Sequence, residues 1–225
     1  AVGVIVGMIA MTGLGLKMSL ILVDLSGGSV LLAVLLVALT SLLMGMALPI
    51  TASYLVLVVL AGPALEQLGV AVIAAHLIVF WLSQDSNITP PVCLGAFVAA
   101  SIAQGDPWKT GWMSFRFAKM LYIMPLLFAF TPILDFSNPL GAAWTMATAT
   151  VGTLAFACWT MAFFRRRATW IEWGLLAVAA IFCFLPFDLN LPANLPGYAA
   201  NIAGATLLAG IYTWQRFGPR APSSA

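Results

Sequence analysis

Apolar stretches separated by short polar breaks run along the whole chain, and the placing of the breaks predicts the elements. Residues from about 1 to 25 read as one span, with Lys17 and Asp24 near its far end. Gly13, Gly15 and Ser19 within it are small enough for close helix packing. Ser26-Gly27-Gly28-Ser29 is a turn. The next apolar stretch is interrupted at Gly45-Met46-Ala47-Leu48-Pro49-Ile50-Thr51, and a later one at Ser86-Asn87-Ile88-Thr89-Pro90-Pro91. The arms on either side have roughly 13 to 16 residues, whereas a helix rising 1.5 Å per residue needs about 20 to cross hydrocarbon. Each interruption is therefore expected near mid-membrane, where unwound backbone is tolerated only under protein cover or beside a water-filled cavity. The first pair of arms, about 30–65, predicts a re-entrant hairpin; the second, about 70–104, a broken helix. Two proline kinks in ordinary spans would produce similar breaks, but discontinuous helices commonly build the ion and substrate sites of secondary transporters.

Beyond the second break, Gln104-Gly105-Asp106-Pro107 is a polar turn in which Asp106 is the expected N-cap and Pro107 the first helical residue. Trp108 to Arg116 reads as a short interfacial helix. Spans are expected over roughly 117–134, 141–164, 169–187 and 198–217, followed by a polar, disordered tail at 218–225. Two domains result: 1–135, holding hairpin and broken helix, and 140–217, holding additional transmembrane helices.

Composition settles the class. Of the 225 residues 63% are hydrophobic and 7% charged, where a soluble domain carries about 25% charged residues. With a mean hydropathy of +1.07, the chain is expected to be an all-α polytopic membrane protein in contact with lipid. No basic patch suits nucleic acid. Cys93, Cys158 and Cys183 are isolated, without C-x-x-C spacing, and act as small hydrophobes. The chain begins Ala1-Val2-Gly3 directly in apolar sequence, with no signal-peptide pattern, and is expected to be a segment of a longer chain.

Charge placement predicts topology. Arg165-Arg166-Arg167 lies between two spans and belongs on the cytoplasmic side. Counting outward, Lys109, Arg116, Lys119, Arg216 and Arg220 fall on that side, and the Asp135–Pro139 and Asp188–Gly197 loops on the other. The C-terminus is then cytoplasmic.

Both interruptions carry oxygen ligands that suit a hard cation such as sodium. At the first, carbonyls near Met44 and Gly45 end a helix and Thr51 and Ser53 add hydroxyls; at the second, Ser86, Asn87 and Thr89 add side-chain oxygens, and Pro90 and Pro91 prevent the helix from reforming. A single serine or threonine would usually just back-bond to its own helix; two clusters, each at a break, mean more. The arms starting near Thr51 and Val92 present N-termini that favour a carboxylate. Asp85 beside the second break is either an intramembrane functional carboxylate or a residue at a solvated cavity mouth. His76 could relay protons, but a lone helix histidine hydrogen-bonded to a neighbour is the simpler reading. Glu66 and Asp106 read as loop-edge charges, and the arginine run as a topology determinant. One histidine and the absence of H-E-x-x-H, G-x-S-x-G, P-loop and Rossmann patterns argue against an enzyme.

The runs Gly45-Met46-Ala47-Leu48-Pro49-Ile50-Thr51-Ala52-Ser53-Tyr54, Ala74-Ala75-His76-Leu77, Ser86-Asn87-Ile88-Thr89-Pro90-Pro91-Val92 and Gly105-Asp106-Pro107-Trp108-Lys109-Thr110-Gly111 occur in that order. Over roughly residues 1 to 135 the chain resembles the large membrane (permease) subunit of TRAP transporters, in the fused form that works with TAXI-type binding proteins. Residues after about 140 resemble the extra C-terminal helices of some fused permeases. The resemblance implies an elevator-type fold of two inverted repeats, of which this chain holds the second. It implies sodium-driven uptake of organic anions, dicarboxylates or amino-acid-like acids, delivered by a periplasmic substrate-binding protein. It also implies partnership with an N-terminal permease half and a small membrane subunit, fused or separate, in the inner (plasma) membrane of a bacterium or archaeon. Sodium ions are the coupling ions and no covalent cofactor is implied. Carried onto this sequence, the resemblance puts substrate at Thr51, Ser53, Asn87, Thr89 and Pro90, and sodium at Gly45, Thr51, Ser86, Asn87 and Thr89. Two positions depart from the family pattern: Ala47 stands where a glycine is usual and Ile50 where a second small hydroxyl residue is usual. Competing functions are an elevator transporter that needs no binding protein, and a non-transporting membrane scaffold or truncated remnant.

Overall fold

The computed structural model describes residues 2–45, 48–186, 190–191 and 195–217, and the Ser86 side chain is outside what it describes. Met46 and Ala47 at the hairpin tip, Asp188, Arg220 and the expected tail at 218–225 also lie outside the described residues. The chain divides into two compact units, residues 1–130 and 131–225.

Unit 1 opens with α1 (Val2–Thr12) and α2 (Leu14–Leu25), bent by 72° where one continuous span was expected. The bend falls at Gly13, whose φ of 65° lies in the left-handed region that residues with a Cβ disfavour. Gly13 thus turns the chain rather than packing it. Gly15 and Ser19 do pack: a Cβ on Gly15 would come within 3.0 Å of the Val59 carbonyl oxygen, and the Ser19 hydroxyl donates to the Leu60 carbonyl at 3.0 Å. Both contacts fasten α2 to α4.

The hairpin arms are α3 (Val30–Gly45) and α4 (Ile50–Gln67), which pack on each other. Helix α4 is longer than expected. Its 18 residues make it a candidate membrane span by length and composition, because at 1.5 Å per residue it reaches about 27 Å. Ala33, Val34, Val37 and Ser41 are buried on α3, a spacing that puts them on one face. Helix α3 packs on α4, α5, α6 and α9.

The broken helix consists of α5 (Val72–Leu82), a single turn α6 (Asp85–Ile88) and α7 (Leu94–Ile102). The break is thus not fully unwound. One helical turn survives in it, and Pro90 and Pro91 keep that turn from running on into α7. Helix α7 starts after Cys93, which has a φ of 42°, two residues later than expected.

Asp106 caps α8 (Pro107–Phe117) as the sequence predicts, its carboxylate accepting from the backbone N–H groups of Trp108 at 2.9 Å and Lys109 at 3.2 Å. Only Ala118 and Lys119 separate α8 from α9 (Met120–Phe130). Residues 107–130 together form a candidate span of 24 residues by length and composition, although α8 and α9 remain separate helices.

Unit 2 holds a 3₁₀ turn (Pro132–Leu134) and the helices α10 (Pro139–Met161), α11 (Trp170–Phe184) and α12 (Gly197–Phe217). Residues 190–191 and 195–196 make a small antiparallel ladder between α11 and α12, and Phe163 and Arg167 form an isolated antiparallel bridge between α10 and α11. Helix α11 has 15 residues, fewer than the roughly 20 of an ordinary span. Ala155, Leu176, Ala179, Ala180, Leu208 and Ile211 form the core of the three-helix packing.

Two features make that packing specific. Gly152 and Gly204 let the helices approach closely: a Cβ on Gly204 would meet the Ala179 carbonyl oxygen and the Cys183 sulfur, each at 2.8 Å. The buried Asn201 amide satisfies three partners on α10 and α11. It donates to the carbonyls of Phe182 and Leu185, both at 2.9 Å, and accepts from the Trp144 indole N–H at 3.2 Å. All three cysteines are free.

Candidate functional site

The candidate site lies in unit 1, where hairpin and broken helix pack together. Asp85 opens α6 and is 1% exposed, yet neither carboxylate oxygen makes a well-formed hydrogen bond. The Tyr122 hydroxyl of α9, which is hydrogen-bonded to Thr89, lies within weak hydrogen-bonding reach of this carboxylate. A buried carboxylate without compensating partners is costly, and one that persists is paired or coordinates a cation. Of the two readings of Asp85 open to the sequence, the solvated cavity mouth fails on this burial.

The surrounding elements repeat the pattern. The Ser41 hydroxyl on α3, the Ser53 hydroxyl on α4 and the Trp81 indole N–H on α5 are each buried without a partner. These groups sit on helices in mutual contact, and α3 packs directly on α6. Buried polar groups are normally satisfied by protein or ordered water. Each of these packed helices therefore carries a buried, unsatisfied polar group in an otherwise apolar unit. Hydroxyls and a carboxylate are hard oxygen donors. Among the described residues no group of three or more His, Cys, Asp and Glu forms a metal centre, so a cation here would be held by hydroxyl, carbonyl and single-carboxylate oxygens.

The residues singled out in the sequence fall into two places. Thr89 is buried at the end of the surviving turn. Its hydroxyl shares a hydrogen bond with the Tyr122 hydroxyl at 2.7 Å, and its N–H donates to the Asp85 carbonyl at 2.8 Å. The two site residues are therefore tied by backbone. Asn87 and Pro90 beside it are partly exposed. The Asn87 carbonyl oxygen lies 3.3 Å from where a Cβ on Gly95 would stand, so that glycine lets α7 come close to the break. Ser53, in the first turn of α4, belongs with the buried group.

Thr51 does not. It is exposed and lines a groove of about 390 Å³ with Ile50, Tyr54, His76, Leu77 and Phe80. There the Tyr54 hydroxyl and His76 Nδ1 share a hydrogen bond at 3.0 Å, so the histidine has a hydrogen-bonding neighbour as expected, supplied by α4. No side chain caps the start of α4, which leaves first-turn N–H groups beside Thr51 for an anion. The carbonyls that end α3 are less available than the sequence suggested, because the Met44 oxygen already accepts from the Leu48 N–H at 3.1 Å.

Sequence reasoning passed over Tyr122, Ser41 and Trp81. The available signal was slight: each is a single polar tip in a continuous apolar run.

No curated protein and no solved structure matches the chain. A family model does: residues 1–134 match the Tripartite ATP-independent periplasmic transporter, DctM component, and these residues take in the hairpin, the broken helix and every group of the site just described. The match covers more than half of the chain, over the unit in which the transporter-like breaks lie, and the chain belongs to this family of transporter membrane components.

Proposed function

We propose that this chain supplies the second inverted repeat of an elevator-type, sodium-coupled permease that takes up an organic anion delivered by a periplasmic substrate-binding protein of the TAXI type. The observation that carries the coupling-ion assignment is Asp85, buried at the break with no well-formed hydrogen bond to either carboxylate oxygen. A sodium ion supplies the missing charge. Thr89 and Asn87 contribute oxygens from the same break, and Ser53 and Ser41 are buried on the hairpin. The substrate carboxylate is assigned to the uncapped start of α4 beside Thr51, with Pro90 and Asn87 opposite it in the transport cycle.

A midplane site of this kind forms between two repeats. Among the described residues there is one hairpin and one broken helix, so an N-terminal permease half supplies the other side, and a small membrane subunit completes the assembly. The family supports the dependence on a binding protein and the multi-pass location in an inner membrane.

The test is ion dependence. In the complete transporter, Thr89→Val removes the hydroxyl that shares a hydrogen bond with Tyr122 and keeps the backbone tie to Asp85. It should raise the sodium concentration for half-maximal uptake by roughly fivefold, the equivalent of about one hydrogen bond. His76→Ala should leave that concentration unchanged. A severe loss in His76→Ala, with no shift in Thr89→Val, would favour a proton relay instead.

Topology has its own test. Single cysteines at Ala168 and Ser137, in a background without native cysteines, should differ in intact cells. Ala168, beside the arginine run, should resist an impermeant thiol reagent while Ser137 reacts. Labelling of Ala168 from outside would reverse the assigned orientation.

A further inference from the structure

Unit 2 carries a feature that transport by unit 1 does not use. Between α11 and α12 runs a groove of about 740 Å³, lined along its length by Leu175, Ala203, Leu207 and Gly210. A space of this size holds a drug-sized molecule. At the start of α11 its lining turns polar, with Arg166 and Glu172. The Arg166 guanidinium donates through Nη2 to Glu172 at 2.8 Å, but its Nη1 is buried with no partner. The Glu172 carboxylate is fully engaged elsewhere, accepting from the Thr169 N–H at 2.9 Å and the Gln215 amide at 3.2 Å. Arg165 and Arg167 on either side are exposed, the Arg165 guanidinium lying over the Tyr212 ring and donating to its hydroxyl at 3.0 Å. Trp170, 88% exposed, and Trp214 stand at the same end of the helices. Tryptophans beside basic residues mark the membrane–water interface.

A basic run beside exposed tryptophans, heading an apolar channel that leads away from it along two helices, describes one ligand chemistry: an anionic head on an acyl chain. We propose that this groove binds one anionic phospholipid, with an acyl chain along α11 and α12 and the phosphate at the Arg166 end, in the positive field of Arg165, Arg166 and Arg167. Planar guanidinium donors suit phosphate oxygens, and basic pockets between transmembrane helices recognise anionic headgroups.

The experiment is native mass spectrometry of the delipidated complete protein, offered dioleoylphosphatidylglycerol, dioleoylphosphatidylcholine or inorganic phosphate. One phosphatidylglycerol should be retained per chain, roughly tenfold more strongly than phosphatidylcholine. Millimolar phosphate should not displace it, because the acyl chain contributes to binding. Arg167→Gln, at an exposed position, should weaken phosphatidylglycerol retention by about fivefold and leave phosphatidylcholine unchanged. Gly210→Leu should abolish retention: a Cβ there meets nothing within 4 Å, so the side chain enters the groove without displacing its walls. Equal retention of the two lipids, displacement by phosphate alone, or full retention in Gly210→Leu would overturn the proposal. So would a disulfide from a cysteine at position 210 to another polypeptide, which would show that protein fills the groove.

Discussion

Asp85→Asn is expected to abolish sodium-driven uptake and at the same time to raise the thermal stability of the sodium-free protein. The two effects have one cause. Asp85 is 1% exposed and neither oxygen makes a well-formed hydrogen bond, the Tyr122 hydroxyl being only within weak reach. Without a cation the folded state carries the desolvation cost of that group, and a neutral amide of the same shape relieves it. With a cation bound, the carboxylate contributes a buried charge interaction. Removing one partner of such a pair costs roughly 2–5 kcal/mol, or about 30-fold and upward in ion affinity. Melting curves with and without sodium separate this account from a structural one. The wild type should gain stability as sodium rises, by the logarithmic dependence of a ligand that binds only the folded state. The asparagine variant should start higher and gain nothing. Loss of stability in both conditions would make Asp85 a structural residue.

The second large effect is expected in unit 2. Gly204→Leu should prevent α11 and α12 from packing, whereas Gly210→Ala two turns further along the same helix should be neutral or slightly stabilising. At Gly204 even a Cβ would stand 2.8 Å from the Ala179 carbonyl oxygen and 3.0 Å from the Cys183 backbone nitrogen. Backbone cannot yield as a flexible side chain can, so the helices must separate. Overpacking of this kind costs about 1–3 kcal/mol for small additions and more for a branched side chain. At Gly210 no atom lies within 4 Å of the added carbon, and alanine is favoured over glycine within a helix by about 1 kcal/mol. Thermal melting of the two variants in detergent checks the contrast. Equal tolerance at both positions would mean that α11 and α12 are not held at this distance.

The hairpin and the broken helix were legible because proline and clustered hydroxyls are conspicuous in apolar sequence, and the N-cap at Asp106 because a short polar residue precedes a proline. What stayed hidden depends on geometry that composition does not carry. Gly13 and Gly15 look alike in sequence; one adopts a left-handed φ and bends the chain by 72°, the other admits α4. Thr89 was visible at its break, but Tyr122, which holds its hydroxyl, is 33 residues away on another helix. The arginine run read as a topology signal alone. In the fold it is also structural: the Gln215 side-chain oxygen accepts from the backbone N–H groups of Arg165 and Arg166 at 3.0 and 3.3 Å, and the Gln215 amide reaches Glu172. Pairings of that range become readable only when three helices are in place.

The central claim is that the buried break in unit 1 binds the coupling sodium ion. Uptake of a labelled organic acid into proteoliposomes, with the complete transporter and its binding protein, tests it most directly when inward sodium and proton gradients are imposed separately. The account predicts accumulation that requires the sodium gradient, is indifferent to the proton gradient and is lost in Asp85→Asn. Accumulation driven by protons without sodium, and undiminished in Asp85→Asn, would contradict it.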